Sequence, residues 1–213
     1  MNLADQIAQL NRANCDSLDT QTIAILQRAT IELRQSGILE DCLQNKETPP
    51  DFAFITADQE HATLYTLLET GPVLINFFRG FWCDFCSAEL AAYRNVQSAI
   101  HRLGVHCLHV SPQAINNPAL EEALTQHGQF IHDTDNRIAR QFGLVYELNE
   151  ALKTIFKDWG LQLQDIHNSE KWELPIPATY LIKQDRKIFF NYVEADFKKR
   201  IDPEELLEII KSL

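Results

Sequence analysis

A chain of 213 residues, 45% hydrophobic and 23% charged, is long enough to bury a core as one globular domain with a small addition. Its net charge of −11 argues against nucleic acid or an anionic membrane as a partner, and no apolar run approaches the length of a membrane span. The start Met1-Asn-Leu-Ala-Asp5 lacks the basic and then apolar profile of a signal peptide, and five cysteines do not make a secreted disulfide framework. A reducing, cytoplasmic compartment is the expectation.

Residues 1–46 read as a helical extension. Leu3, Ile7 and Leu10 mark one amphipathic stretch, and Asn14 to Asp19 is a polar break in which Asp19 suits an N-cap. Ile23, Leu26, Thr30 and Leu33 then share a face, and Gly37 is a natural stop. Two roles are open for this pair: helices packed on the main domain, or a dimerisation arm or cap over a site. Glu47-Thr-Pro-Pro-Asp51 is a turn that opens the second unit, residues 47–213. A short strand at Phe52 to Ile55 and a short helix at Leu64 to Leu68 precede the apolar run Val73 to Phe78, which has the composition of a buried strand.

After Arg79-Gly80 come Trp82, Cys83, Phe85 and Cys86, and then a helical pattern through Leu90, Tyr93, Ile100 and Leu103 that Gly104 ends. Val105 to Val110 is a second apolar strand, so a parallel strand–helix–strand unit is expected. Pro118 to His127 reads as a helix and Phe130-Ile131 as a strand. Asp133 to Asn136 caps a helix carrying Ile138, Ala139 and Phe142. Residues 147–158 are expected as helix and 160–173 as a polar loop. Ala178 to Lys183 and Lys187 to Val193 form a hairpin, and Asp202-Pro203-Glu-Glu starts the last helix. This order gives an α/β fold of the thioredoxin-like kind: a mixed central sheet with helices on both faces, preceded by the N-terminal helical extension.

The chemistry concentrates where the buried strand hands over to the helix. A helix N-terminus offers free N–H groups and partial positive charge, both of which favour a thiolate, and the thiolate is the nucleophilic form of cysteine. Cys83 and Cys86, three apart, share a helix face, so one can attack and the other can close a disulfide. No second Cys-x-x-Cys or His-x-x-x-His stands at zinc spacing, so neither metal nor cofactor is expected. His106, Cys107 and His109 lie on the second strand, with Cys107 and His109 on one face, and read as strand residues rather than ligands. Arg79 and Trp82 border the thiols as candidate substrate contacts. Asp84 between the cysteines is expected to raise the thiol pKa, and Glu89 is expected to be a solvated charge.

The segments Asn76-Phe-Phe-Arg-Gly-Phe-Trp-Cys-Asp-Phe-Cys86, Val110-Ser-Pro-Gln113, His132-Asp-Thr-Asp135, Phe142-Gly-Leu144 and Leu174-Pro-Ile-Pro-Ala-Thr-Tyr-Leu-Ile182 together resemble the peroxiredoxin-like branch of the alkyl hydroperoxide reductase / thiol-specific antioxidant family over residues 48–205. The resemblance implies a thioredoxin fold and hydroperoxide reduction with electrons from a thioredoxin-like donor. In the family's Pro-x-x-x-Thr-x-x-Cys pattern, Cys86 takes the peroxidatic place, Arg79 the place of the proline and Cys83 that of the threonine; a late family arginine falls on Pro177. In the thioredoxin register, Trp82-Cys-x-x-Cys86 matches the redox motif. Pro177, two residues before Thr179, then takes the place of a cis-proline facing the disulfide, so a cis Ile176–Pro177 bond is expected.

Three functional readings follow. In a thiol peroxidase, Cys86, or alternatively Cys83, attacks a peroxide, and the other cysteine closes a disulfide that a thioredoxin-like donor resets. In a thiol–disulfide oxidoreductase, Cys83, nearer the helix tip, is the more exposed and acidic thiol and attacks a protein disulfide that Cys86 resolves. The third reading is a non-enzymatic redox sensor. A homodimer is one option for the assembly.

Overall fold

The computed structural model describes residues 2–56, 59–113 and 128–213, and the helix expected over Pro118 to His127 lies outside them. Two helices open the chain, α1 (Leu3–Ser17) and α2 (Thr20–Gln35), followed by a single turn, α3 (Ile38–Asp41). The polar residues Asn14 to Ser17 form the last turn of α1 rather than break it; the break comes at Leu18-Asp19. The Asp19 carboxylate accepts the Thr22 N–H at 2.9 Å and so caps α2, as its position predicts. Gly37, at φ +86°, turns the chain into α3.

A small hairpin, β1 (Ala53–Ile55) and β2 (His61–Thr63), leads into α4 (Leu64–Leu68). The strand β3 (Val73–Phe77) feeds the long helix α5 (Asp84–Arg102), which returns through β4 (His106–Ser111). Then come β5 (Gln129–His132), α6 (Arg137–Gln141), β6 (Val145–Glu147), α7 (Glu150–Asp158), α8 (Leu163–His167) and β7 (Glu173–Pro175). The hairpin β8 (Ala178–Ile182) and β9 (Ile188–Val193) and the helix α9 (Pro203–Ile210) complete it.

The main sheet has the order β5-β4-β3-β8-β9. β3 runs parallel to β4 and antiparallel to β8, with Val73 opposite both His106 and Ile182, so the expected parallel crossover and the expected hairpin meet on one central strand. Alternation along β3 sends Val73, Ile75 and Phe77 to one core with Leu64 and Leu68 of α4, Ile138 and Ala139 of α6, and Tyr180. It sends Leu74 to the other core, with Tyr93, Val96 and Ile100 of α5 and Leu206 and Ile210 of α9. The architecture is therefore the mixed α/β sheet with helices on both faces that the element order predicts.

Two expectations need correcting here. The stretch 160–173 is not a polar loop. It holds α8, and Leu163, Trp172 and Leu174 join Leu148, Leu152, Ile155 and Phe156 in a separate apolar cluster framed by the β6–β7 ribbon. Ile25, Leu26 and Ala29 of α2 pack against that cluster. The Ile176–Pro177 bond is trans, as are all described peptide bonds. The Ile176 N–H is tied to the Leu144 carbonyl at 2.8 Å, and the chain runs extended from β7 into β8, a path the favoured trans isomer follows without help.

Candidate active site

β3 ends at the core, and the chain turns through Phe78 to Trp82 before α5 begins. Gly80 makes that turn, at φ +142°, where a Cβ would stand 2.5 Å from Trp82 Nε1 and 2.7 Å from Gln113 Oε1. The Gln113 side-chain oxygen Oε1 accepts the Phe81 N–H at 2.6 Å, and the Ser87 hydroxyl donates to the Phe81 carbonyl at 3.1 Å, so both backbone polar groups of Phe81 are pinned. Cys83 is the N-cap residue of α5, and Cys86 lies within its first turn. Neither sulfur is in a disulfide.

The two sulfurs have different surroundings. Cys83 lines a cavity of about 240 Å³; Cys86 does not, and it is 0% exposed against 5% for Cys83. The Cys83 pKa is brought down to about 6, first by a hydrogen bond from the Cys86 thiol, then by the positive charges of Arg79 and Arg200, with burial opposing. The Cys86 pKa is raised, by burial and by its donation to Cys83, with Arg200 opposing. The expectation that Cys83 is the more exposed and acidic thiol agrees with this geometry. The charge on Asp84 does not set the outcome, because the Cys86 hydrogen bond and two cations act on the same sulfur.

Arg79 is buried beside the pair, its guanidinium 4.4 Å from the Phe197 ring centre, 4.8 Å from that of Trp82 and 5.8 Å from that of Phe156. Trp82 itself packs edge-on against Phe156. Thus Arg79, Trp82 and Cys83 meet on one cavity wall. Thr179 and Pro177 do not reach that wall. Thr179 is buried on β8 with its hydroxyl 3.4 Å from the Tyr93 hydroxyl, and Pro177 is buried at the start of the strand. Thr179 therefore packs against α5 rather than facing the cavity. Of the strand pair, His109 packs edge-on against Tyr93 with ring centres 5.5 Å apart.

Three features complete the site; the sequence reading left the capping role open and did not reach the other two. Leu26, Ala29, Thr30 and Leu33 of α2 form one wall of the cavity, while Tyr146, Leu148, Leu152 and Phe156 form another. Ile7 and Leu10 of α1 pack over the cluster that contains Cys83 and Cys86, so the extension is a cap over the site. Glu89 is not solvated: it is buried and accepts Arg200 Nε at 2.9 Å, while Arg200 Nη2 donates to Cys86 Sγ at 3.3 Å. Helical spacing alone pointed to this burial, since Glu89 shares the face of Cys86, Tyr93 and Val96. Nothing local pointed to Arg200, 111 residues further on.

The sequence profile of the AhpC/TSA family matches residues 46–190, about two thirds of the chain. The chain belongs to the AhpC/TSA family. It is accordingly an oxidoreductase of the peroxiredoxin-like kind, and its sheet is the thioredoxin-like sheet of that family. Among solved structures, peroxidoxin BcpB from Mycobacterium tuberculosis superposes with a TM-score of 0.59 at 16% identity, over 80% of this chain and 98% of that one. A cysteine-to-serine mutant of PrxQ from Xylella fastidiosa gives 0.60 at 12% identity, over 80% and 96%. The peroxiredoxin 6 mutant of Arenicola marina gives 0.60 at 14%, over 80% and 73%. At such identities the likeness is one of fold. A search of curated proteins found no match.

Proposed function

We propose that this member of the family reduces hydroperoxides with Cys83 as the attacking thiolate and Cys86 as the resolving thiol. One observation carries the assignment: Cys83 is the sulfur that borders the cavity, while Cys86 sits sealed behind it. The Cys83 thiolate attacks the terminal peroxide oxygen. The O–O bond breaks, the alkoxide leaves as the alcohol on taking a proton, and Cys83 becomes a sulfenic acid. Cys86 then attacks the Cys83 sulfur, the S–O bond breaks, water leaves, and a disulfide remains. A thioredoxin-like dithiol supplies the two electrons that reopen it. Arg79 holds positive charge beside the thiolate, and Trp82 shapes the approach. In this reading residues 1–46 are a separate helical cap and 47–213 the redox domain, working in a reducing compartment.

This choice departs from the family pattern, in which Cys86 takes the peroxidatic place. The same dithiol also suits thiol–disulfide exchange, the second reading, because exchange too wants an acidic outer thiol and a buried resolving one. Enclosure by α2 favours a small molecule over a protein disulfide as the oxidant. Stopped-flow oxidation by hydrogen peroxide and by cumene hydroperoxide decides among these. Cys86→Ser is expected to keep fast sulfenate formation and Cys83→Ser to lose it. The reverse pattern moves the attack to Cys86. Oxidation no faster than that of a free thiol, together with rapid reduction of protein disulfides, replaces the peroxidase reading with the exchange reading.

A further inference from the structure

Arg200 lies beyond the residues matched by the family profile, on the loop between β9 and α9, yet it reaches the sealed sulfur. Its side chain is 2% exposed and that of Glu89 is 1% exposed. Every nitrogen of its guanidinium is engaged: Nε with Glu89, Nη1 with the carbonyls of Phe197 and Lys199, and Nη2 with Cys86 Sγ at 3.3 Å. Two backbone carbonyls and a buried carboxylate therefore hold the planar fork in one orientation, with the remaining arm aimed at the sulfur. A cation so deeply buried is costly unless paired. One carboxylate compensates it, and Glu89, whose own pKa is raised to about 7 chiefly by burial, shares it with Cys86.

We propose that Arg200 is a positioning residue for the resolving step, holding Cys86 and stabilising its thiolate as that sulfur attacks oxidised Cys83, with Glu89 fixing Arg200 and limiting how much of its charge Cys86 receives. The inference rests on Cys83 being the first attacker. In the step itself the Cys86 thiolate forms the S–S bond and is oxidised, Cys83 is reduced from the sulfenic level, and the departing hydroxide takes up the proton that Cys86 released. The charged and titratable groups that face Cys86 are Cys83, Arg200 and Arg79, with Glu89 behind Arg200 and Tyr146 on the cavity side. Cys86 is the group the fold otherwise penalises as an anion, so the nearest cation acts where the need is greatest.

The test uses the full reduced chain with the exposed Cys15 and the half-buried Cys107 replaced by serine, and 4,4′-dithiodipyridine, which then separates Cys83 from Cys86 without any peroxide. Attack by the first thiol releases one thiopyridone and leaves a mixed disulfide; attack by the second on that disulfide releases another and closes the Cys83–Cys86 bond. Arg200→Met is expected to slow the second release about tenfold or more relative to the first, the effect of losing a hydrogen bond to a charged group. Arg200→Lys, which keeps the charge and loses the fork, is expected to recover part of the loss. Glu89→Gln is expected to shift the pH profile of the second release to lower pH, because Arg200 then acts on Cys86 unopposed. A purely structural role would not move that profile downward. Unchanged ratios of second to first release in both Arg200 variants, with unaltered unfolding midpoints, overturn the proposal; an Arg200→Met protein that does not fold leaves the Glu89→Gln profile to decide it, and no downward shift then overturns it. A first release that survives in Cys83→Ser instead overturns the order of attack on which it rests.

Discussion

Replacing Cys86 with alanine tests the reason Cys83 is acidic. The largest cause of its low pKa is the hydrogen bond that the Cys86 thiol donates. A hydrogen bond to a charged partner contributes about 1.5–3 kcal/mol, and each pH unit of midpoint corresponds to about 1.4 kcal/mol, so its loss should raise the midpoint by roughly one to two pH units. From about 6 in the wild type, the midpoint should move to roughly 7–8. At pH 6.5 the thiolate fraction then drops from roughly three quarters to a quarter or less. Above the new midpoint the effect reverses. A more basic thiolate is intrinsically more nucleophilic, by roughly three- to tenfold for a rise of that size. Thiolate absorbance near 240 nm and the rate of alkylation by iodoacetamide, both followed against pH, read the two quantities separately. Identical midpoints in the wild type and in Cys86→Ala would refute the argument and leave the cations as the cause.

Arg79→Met should also raise the Cys83 midpoint and slow peroxide reduction at pH 6.5 about tenfold, while Arg79→Lys keeps part of the rate; stopped-flow pH profiles check both. Gly80→Ala should destabilise the fold by about 1–3 kcal/mol in urea unfolding, because alanine is strained at φ +142° and its Cβ would press on Trp82 and Gln113. Leu26→Trp, which fills the cavity from the α2 side, should cost cumene hydroperoxide about tenfold or more in kcat/KM and cost hydrogen peroxide less. Cys83 is more acidic folded than unfolded, so its contribution to stability is full above its unfolded pKa and is lost as pH falls through about 6. Between pH 9 and 6 the wild type should therefore lose stability faster than Cys83→Ser, as denaturant midpoints would show.

The apolar run of β3, the Cys-x-x-Cys spacing, the caps Asp19 and Asp202 and the closing hairpin were all legible in the chain, because each is a local pattern with a local cause. The ribbon of β6 and β7 and the helix α8 were not, since they span only three to five residues each and owe their stability to Trp172, Leu163 and Phe156 meeting across the chain. The site divides in the same way. Cys83, Cys86, Arg79 and Trp82 follow one another in sequence, so their neighbourhood was readable. Arg200 and the α2 wall come from distant segments and show themselves only in three dimensions. Glu89 was misread because a charge suggests solvent, although its place on the buried side of α5 said otherwise.

The contribution of α2 to the cavity has a consequence for how such a protein diversifies. Cys83 and Cys86 lie within the stretch that matches the family, whereas part of the cavity wall beside Cys83 is supplied by residues upstream of it. Substitutions at Leu26, Ala29 or Leu33 can therefore alter which guests are admitted while the reacting atoms keep their places. Selectivity and reactivity are adjustable one at a time.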